Sequence, residues 1–271
     1  MQDLNIALFQ YDISWENPIA NREKIQVFIE GLAPETDLLV LPEMFTTGFS
    51  MKPQGLAETM DGATVVWMQE MAIKHQLAIT GSLIITEKEE YYNRLVFVYD
   101  NGEIESYDKR HAFTLAGEQK EYTRGTERLI VSYKGWKICP LICYDLRFPV
   151  WARNKEEYDV LLYVANWPAV RIKAWDALLK ARAIENMTYT VAVNRVGVDA
   201  NGHKYCGNSI VLDSLGEVLD APASNKEMGC SVTLSKENLD KNRNRFGFLK
   251  DGDDFVIIPS ASGISPKGSI E

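Results

Sequence analysis

The chain has 271 residues, 46% hydrophobic and 25% charged, with 29 Lys plus Arg against 38 Asp plus Glu and a formal net charge of −9. These proportions exclude a disordered, collagen-like or disulfide-scaffold chain. The acidic balance argues against a nucleic-acid partner, which needs a basic face, and no apolar run approaches the ~20 residues of a membrane helix. The opening stretch MQDLNIALFQ carries an acid where a secretion leader has a basic lead-in, so a cytoplasmic chain with reduced thiols is expected. The four cysteines (Cys139, Cys143, Cys206, Cys230) and three histidines (His75, His111, His203) lack the short paired spacings of a zinc site, and no metal is expected.

In chain order, residues 4–11 alternate as a strand, and 18–31 have helical spacing with Pro18 at the first turn and Gly31 as the stop. LLVLP at 38–42 is a short continuous apolar run, the pattern of a strand buried on both faces. A helix is predicted over about 62–76, then strands near 77–85 and 94–100 and a hairpin at Asp100-Asn101-Gly102-Glu103. The second half repeats this grammar. It has an apolar strand at 136–145, a short helix at 147–155 and a buried strand at 159–166. A long helix follows at 172–187, then a β-branched strand at 188–197 and a second hairpin within 209–222. No Pro/Gly/Ser-rich linker separates the halves. The expectation is therefore one α/β domain over 1–255 with internal pseudo-symmetry, followed by a tail at 256–271. Two sheets back to back with helices outside form a four-layer αββα sandwich.

Three strand ends carry reactive side chains: Glu43 after LLVLP, Lys109 closing IESYDK, and Cys143 closing ICPLIC. Taken singly, each has a bland reading, as a solvated acid, an exposed lysine and a core thiol. Together they are complementary. A thiol nucleophile needs a base for its proton and a positive group for the oxygen it charges, and three histidines offer little material for a Cys–His pair. Glu43 suits the base. Lys109, with the backbone N–H of Tyr144, suits the oxyanion.

Glu43 in LPEMFTTGF, Lys109 in YDKRHAF and Cys143 in LICYDLRFP resemble the Glu-Lys-Cys signatures of the nitrilase superfamily of carbon–nitrogen hydrolases, over about residues 4–255. The resemblance implies the αββα sandwich, no cofactor or metal, pairing into a homodimer, and hydrolysis of a small carbon–nitrogen substrate through a thioester. It also implies a second glutamate on the loop GEQKEYTRG. Glu118 fits the spacing to Gly125 better, and Glu121 stays open. The segments FPVWARN, YVANWP, LLKARAIEN and AVNRVG resemble the omega-amidase branch, which implies 2-oxo acid amides such as 2-oxoglutaramate and 2-oxosuccinamate. A carbamoyl-amine hydrolase, an aliphatic amidase, a nitrilase and, from another class, a non-catalytic binding protein are the alternatives. Trp167 is expected to wall the pocket beside Tyr144. The far carboxylate of such a substrate calls for an arginine, and Arg171 and Arg195 are the candidates, with Arg147 nearer to Cys143 in the chain.

Overall fold

The computed structural model describes residues 2–257. In chain order the strands are β1 (Leu4–Gln10), β2 (Leu38–Val40), β3 (Ala78–Glu87), β4 (Glu90–Val98), β5 (Ile104–Asp108), β6 (Val131–Tyr133) and β7 (Trp136–Ile142). They continue as β8 (Val160–Ala165), β9 (Tyr189–Asn194), β10 (Val196–Val198), β11 (Lys204–Cys206), β12 (Ile210–Leu212), β13 (Val218–Asp220) and β14 (Met228–Leu234). The helices are α1 (Pro18–Glu30), α2 (Ala63–His75), the single turn α3 (Glu118–Glu121), α4 (Ile172–Asn186) and α5 (Lys236–Phe246).

Two six-stranded sheets form, ordered β14-β1-β2-β3-β4-β5 and β13-β12-β9-β8-β7-β6. Read from β14 in one and from β6 in the other, the pairings run alike: antiparallel, parallel, parallel, antiparallel, antiparallel. This is the pseudo-symmetry expected from the repeated grammar. Strand alternation then builds the layers. Leu4, Ile6 and Leu8 of β1 enter the core shared with Ile138, Leu162 and Val191 of the other sheet. Ala7 and Phe9 face the opposite way, onto Ile25 and Ile29 of α1 and Val65 and Met68 of α2. On the second sheet Trp175, Leu179 and Ala183 of α4 join the same central cluster. The result is the αββα sandwich. β2 and β8 are buried at every residue, as parallel strands covered on both faces must be.

Some expectations are corrected. The helix predicted at 147–155 is absent: a 3₁₀ turn spans Cys143–Arg147, and separate turns follow. Pro149 pushes the preceding Phe148 out of the helical region, to φ −115°, ψ 88°. The strand predicted at 188–197 breaks between β9 and β10, and β10 turns away to pair with β11. The edge strands β6 and β14 and the helix α5 carry no sequence prediction. β14 mixes half-buried and exposed residues before the buried Leu234, a weak apolar pattern, yet it closes the first sheet against β1. The proposed tail at 256–271 lies, beyond its first two positions, outside the described residues.

Candidate active site

Strand ends from both sheets meet at one edge of the sandwich. Glu43 lies three residues past β2 and Lys109 directly follows β5, both from the first sheet. Cys143 and Asn166 directly follow β7 and β8, from the second. The chain turns sharply at two of these ends, with Met44 at φ 43° and Cys143 at φ 45°. Left-handed backbone costs a non-glycine residue of order 1–3 kcal/mol and is held only where the surroundings over-determine it. At the Lys109 end the constraint is space. Gly125 packs so closely on β5 that an added Cβ would lie 2.1 Å from the Asp108 carbonyl oxygen, and its N–H bonds the Lys109 carbonyl at 3.0 Å.

Lys109 is 3% exposed and sits between two carboxylates. Its ammonium donates to Glu43 Oε1 at 2.7 Å and to both Glu118 oxygens at 3.0 Å. Asn93 of β4 donates from Nδ2 to the same two acids, at 2.8 Å to Glu43 and 3.1 Å to Glu118. Glu118 also accepts from the Phe113 N–H. The remaining Glu43 oxygen accepts from the Asn166 N–H at 2.9 Å, and the Asn166 side-chain amide donates to the Glu43 carbonyl. Both carboxylates are thus buried and hydrogen-bonded, the condition for charge to persist away from water. Glu118, not Glu121, is the acid against Lys109.

Burial alone would push the Lys109 pKa down, but the negative charges of Glu118 and Glu43 outweigh it and hold the group above its ordinary value. Burial raises the Glu118 carboxyl, with Lys109 opposing and Glu43 adding to the rise. The Cys143 thiol is pushed well above its usual range by burial and then by the Glu43 charge, against the pull of Lys109. At neutral pH the resting sulfur therefore keeps its proton. The sulfur points at the Asn166 carbonyl, 3.9 Å away, on the residue whose N–H bonds Glu43, and its use as a nucleophile would require a base to take that proton.

A cavity of about 170 Å³ opens over these groups, below the ~300–1,000 Å³ of sites for drug-sized ligands. Lys109, Cys143, Tyr144, Trp167 and Arg171 all line it, as does Arg147. The Arg147 guanidinium lies 4.9 Å from the Trp167 ring centre, and that of Arg171 lies 5.0 Å from Phe113. Among the described residues neither arginine pairs with a carboxylate, and no Asp or Glu belongs to the lining.

Arg195 departs from the expectation. It is fully buried, donates to Asp12 at 2.7 Å and to the Ile13 carbonyl, and reaches the cavity only through the Tyr205 ring it stacks on, 4.8 Å away. Its position at the break between β9 and β10 turns it toward the β1 end instead of the substrate space. Sequence reasoning also missed Asn93, His203 and Tyr205. Asn93 falls just before the strand predicted from 94, among Glu90, Tyr91, Tyr92 and Arg94, where nothing local marks it. His203 and Tyr205 arrive from the β10–β11 hairpin, some 60 residues past Cys143, with no local mark of their role.

The family model for carbon–nitrogen hydrolases matches residues 5–242. The chain belongs to the carbon–nitrogen hydrolase family. A carbon–nitrogen hydrolase superfamily protein of Xanthomonas campestris, whose crystal structure carries an arsenic adduct in its active site, superposes with a TM-score of 0.92 at 44% identity, covering 95% of this chain and 100% of that one. The protein named omega-amidase YafV of Yersinia enterocolitica is 42% identical over 260 residues, 95% of this chain and 100% of the relative. The 2-oxoglutaramate amidase of Bacillus subtilis is 35% identical over 219 residues, 79% of this chain and 84% of the relative.

Proposed function

We propose that this carbon–nitrogen hydrolase is an omega-amidase, releasing ammonia from the terminal amide of 2-oxo acid monoamides such as 2-oxoglutaramate and 2-oxosuccinamate. The observation that carries the reading is the buried ammonium of Lys109 held between Glu43 and Glu118 at a small cavity that Cys143 also lines. The names of the Yersinia and Bacillus relatives support the substrate class.

In this reading the Cys143 sulfur attacks the amide carbon while Glu43 takes the thiol proton. The carbonyl oxygen becomes an oxyanion beside the Lys109 ammonium and the Tyr144 N–H. Glu43 passes its proton to the amine, the C–N bond breaks, and ammonia leaves a thioester on Cys143. A water then gives a proton to Glu43 and attacks the thioester. The C–S bond breaks, and the proton returns to the sulfur as the acid departs. Glu118 keeps Lys109 charged and in place; with one ammonium hydrogen shared between its two equidistant oxygens and a second on Glu43, the third is left for the substrate.

The two uncompensated arginines extend the argument to the far end of the substrate. A cavity lined by Arg147 and Arg171 with no lining acid favours an amide that carries its own carboxylate over a neutral one. Ammonia release measured side by side from 2-oxoglutaramate, butyramide, a carbamoyl-amine and a short nitrile tests this. Preference for the oxo acid amide is expected, and its absence beside turnover of the carbamoyl-amine refutes the reading. The same reading takes the enzyme to be a cytoplasmic homodimer, checked by light scattering of the purified protein and by cell fractionation.

A further inference from the structure

Glu43 and Lys109 follow strands of one sheet and Cys143 a strand of the other, so the spacing between Lys109 and Cys143 depends on what crosses between the sheets. Asp145 stands two residues after Cys143, within its 3₁₀ turn, and is fully buried. Each of its oxygens takes two donors. Oδ2 accepts from the Tyr107 hydroxyl at 2.7 Å and from the Ile142 N–H at 3.1 Å. Oδ1 accepts from the His111 N–H at 3.0 Å and meets His111 Nδ1 at 2.7 Å. A carboxylate only accepts, so the His111 proton must sit on Nδ1. Tyr107 and His111 lie two residues before and two residues after Lys109.

The anchors are themselves held. The Tyr107 oxygen accepts from Trp151 Nε1 at 3.0 Å and from the Arg110 N–H at 3.2 Å. The His111 ring stacks on Phe148 at 3.7 Å. Burial and then the Asp145 charge push the Tyr107 phenol up, which keeps it a donor. None of Tyr107, His111 and Asp145 lines the cavity.

We infer that Asp145 is a positioning residue: clasped by Tyr107 and His111, it sets the Lys109–Cys143 spacing on which acylation depends. The inference rests on the hydrolytic reading above and adds a device to it. A displacement of about 1 Å between reacting groups costs on the order of 100-fold in rate. The loss falls on kcat, because the groups that bind the resting substrate are elsewhere.

The test compares Tyr107→Phe, Asp145→Asn and the double variant, on any amide the parent hydrolyses and well below their unfolding temperatures. The expected kcat falls by roughly 10-fold in Tyr107→Phe and 100-fold in Asp145→Asn, with KM within about threefold, and the double variant is no slower than Asp145→Asn. Unchanged kcat, losses carried by KM, or losses that multiply in the double variant overturn the inference. If Asp145→Asn does not fold, Tyr107→Phe decides on its own. A second readout needs no amide: the ratio of Cys143 alkylation by iodoacetate to that by iodoacetamide, followed by peptide mass, reports how close the ammonium stands to the sulfur. A several-fold change from the parent's ratio is expected in Tyr107→Phe, and an unchanged ratio overturns the inference. A parent that hydrolyses no amide defeats the proposed function and leaves this second measurement to judge the clasp.

Discussion

Replacing Lys109 with Met keeps the length and most of the packing of the side chain and removes its charge. Glu43 and Glu118 then face one another with Asn93 as their only shared donor. Both touch the same nitrogen, at 2.7 and 3.0 Å, so their near oxygens are at most about 6 Å apart. Two unit charges at ~6 Å repel by about 3 kcal/mol at an effective dielectric of ~20. That repulsion, added to the burial that already raises the Glu118 carboxyl, pushes one of the two acids well above the usual carboxylate range. A carboxyl raised in this way holds its proton in the folded protein while the unfolded chain has released it. Stability therefore falls as pH climbs from about 4.3 through the raised value, and is regained on acidification. Over a third of that loss is already present at pH 5, so with about 2–4 °C of melting temperature per kcal/mol in a domain of this size the gap between parent and Lys109→Met should be about 3–7 °C wider at pH 8 than at pH 5. The assay is thermal unfolding by circular dichroism at the two pH values, with ammonia release measured alongside and expected to drop at least 100-fold. An equal gap at both values would mean that the two acids are not both ionised around the lysine, and the charge argument fails with it.

Further outcomes follow from the same geometry. Cys143→Ala should abolish ammonia release while leaving the melting temperature within a few degrees, and residual turnover would remove the nucleophile assignment. Glu43→Gln should cost kcat about 10²–10⁴-fold. Because the Glu43 charge helps raise the Cys143 thiol, the same variant should move the pH midpoint of Cys143 alkylation downward, and an upward shift would contradict the electrostatics. Arg171→Met and Arg147→Met should each raise KM for 2-oxoglutaramate about tenfold or more while leaving butyramide nearly unaffected, since a charged hydrogen bond is worth ~1.5–3 kcal/mol. Equal effects on both substrates would remove the carboxylate role. Asn93→Leu should lower kcat and destabilise the fold by about 2–5 kcal/mol, because two buried carboxylates each lose a donor.

Much of this protein is written locally. The apolar runs of β2, β7 and β8 and the three-and-four spacing of α1, α2 and α4 specify their elements, because burial on two faces or on one helical stripe imposes a period on the residues themselves. The repeated order of those elements was enough to anticipate two matched sheets. Glu43, Lys109 and Cys143 were legible for a related reason. A charged or nucleophilic side chain directly beyond a buried strand has been placed at the sheet's edge by the strand itself.

What the tertiary structure decided is everything that depends on neighbours distant in the chain. Strand β14 finds its sheet only through β1, more than 200 residues away, and its own alternation is too weak to announce it. Glu118 rather than Glu121 meets Lys109 because a one-turn helix points only one of them inward. Arg171 lines the cavity while Arg195 pairs with Asp12. A local pattern records how a residue meets the core; which charge stands opposite it is set only when two sheets close, at separations of a few ångströms that neither half of the chain encodes alone.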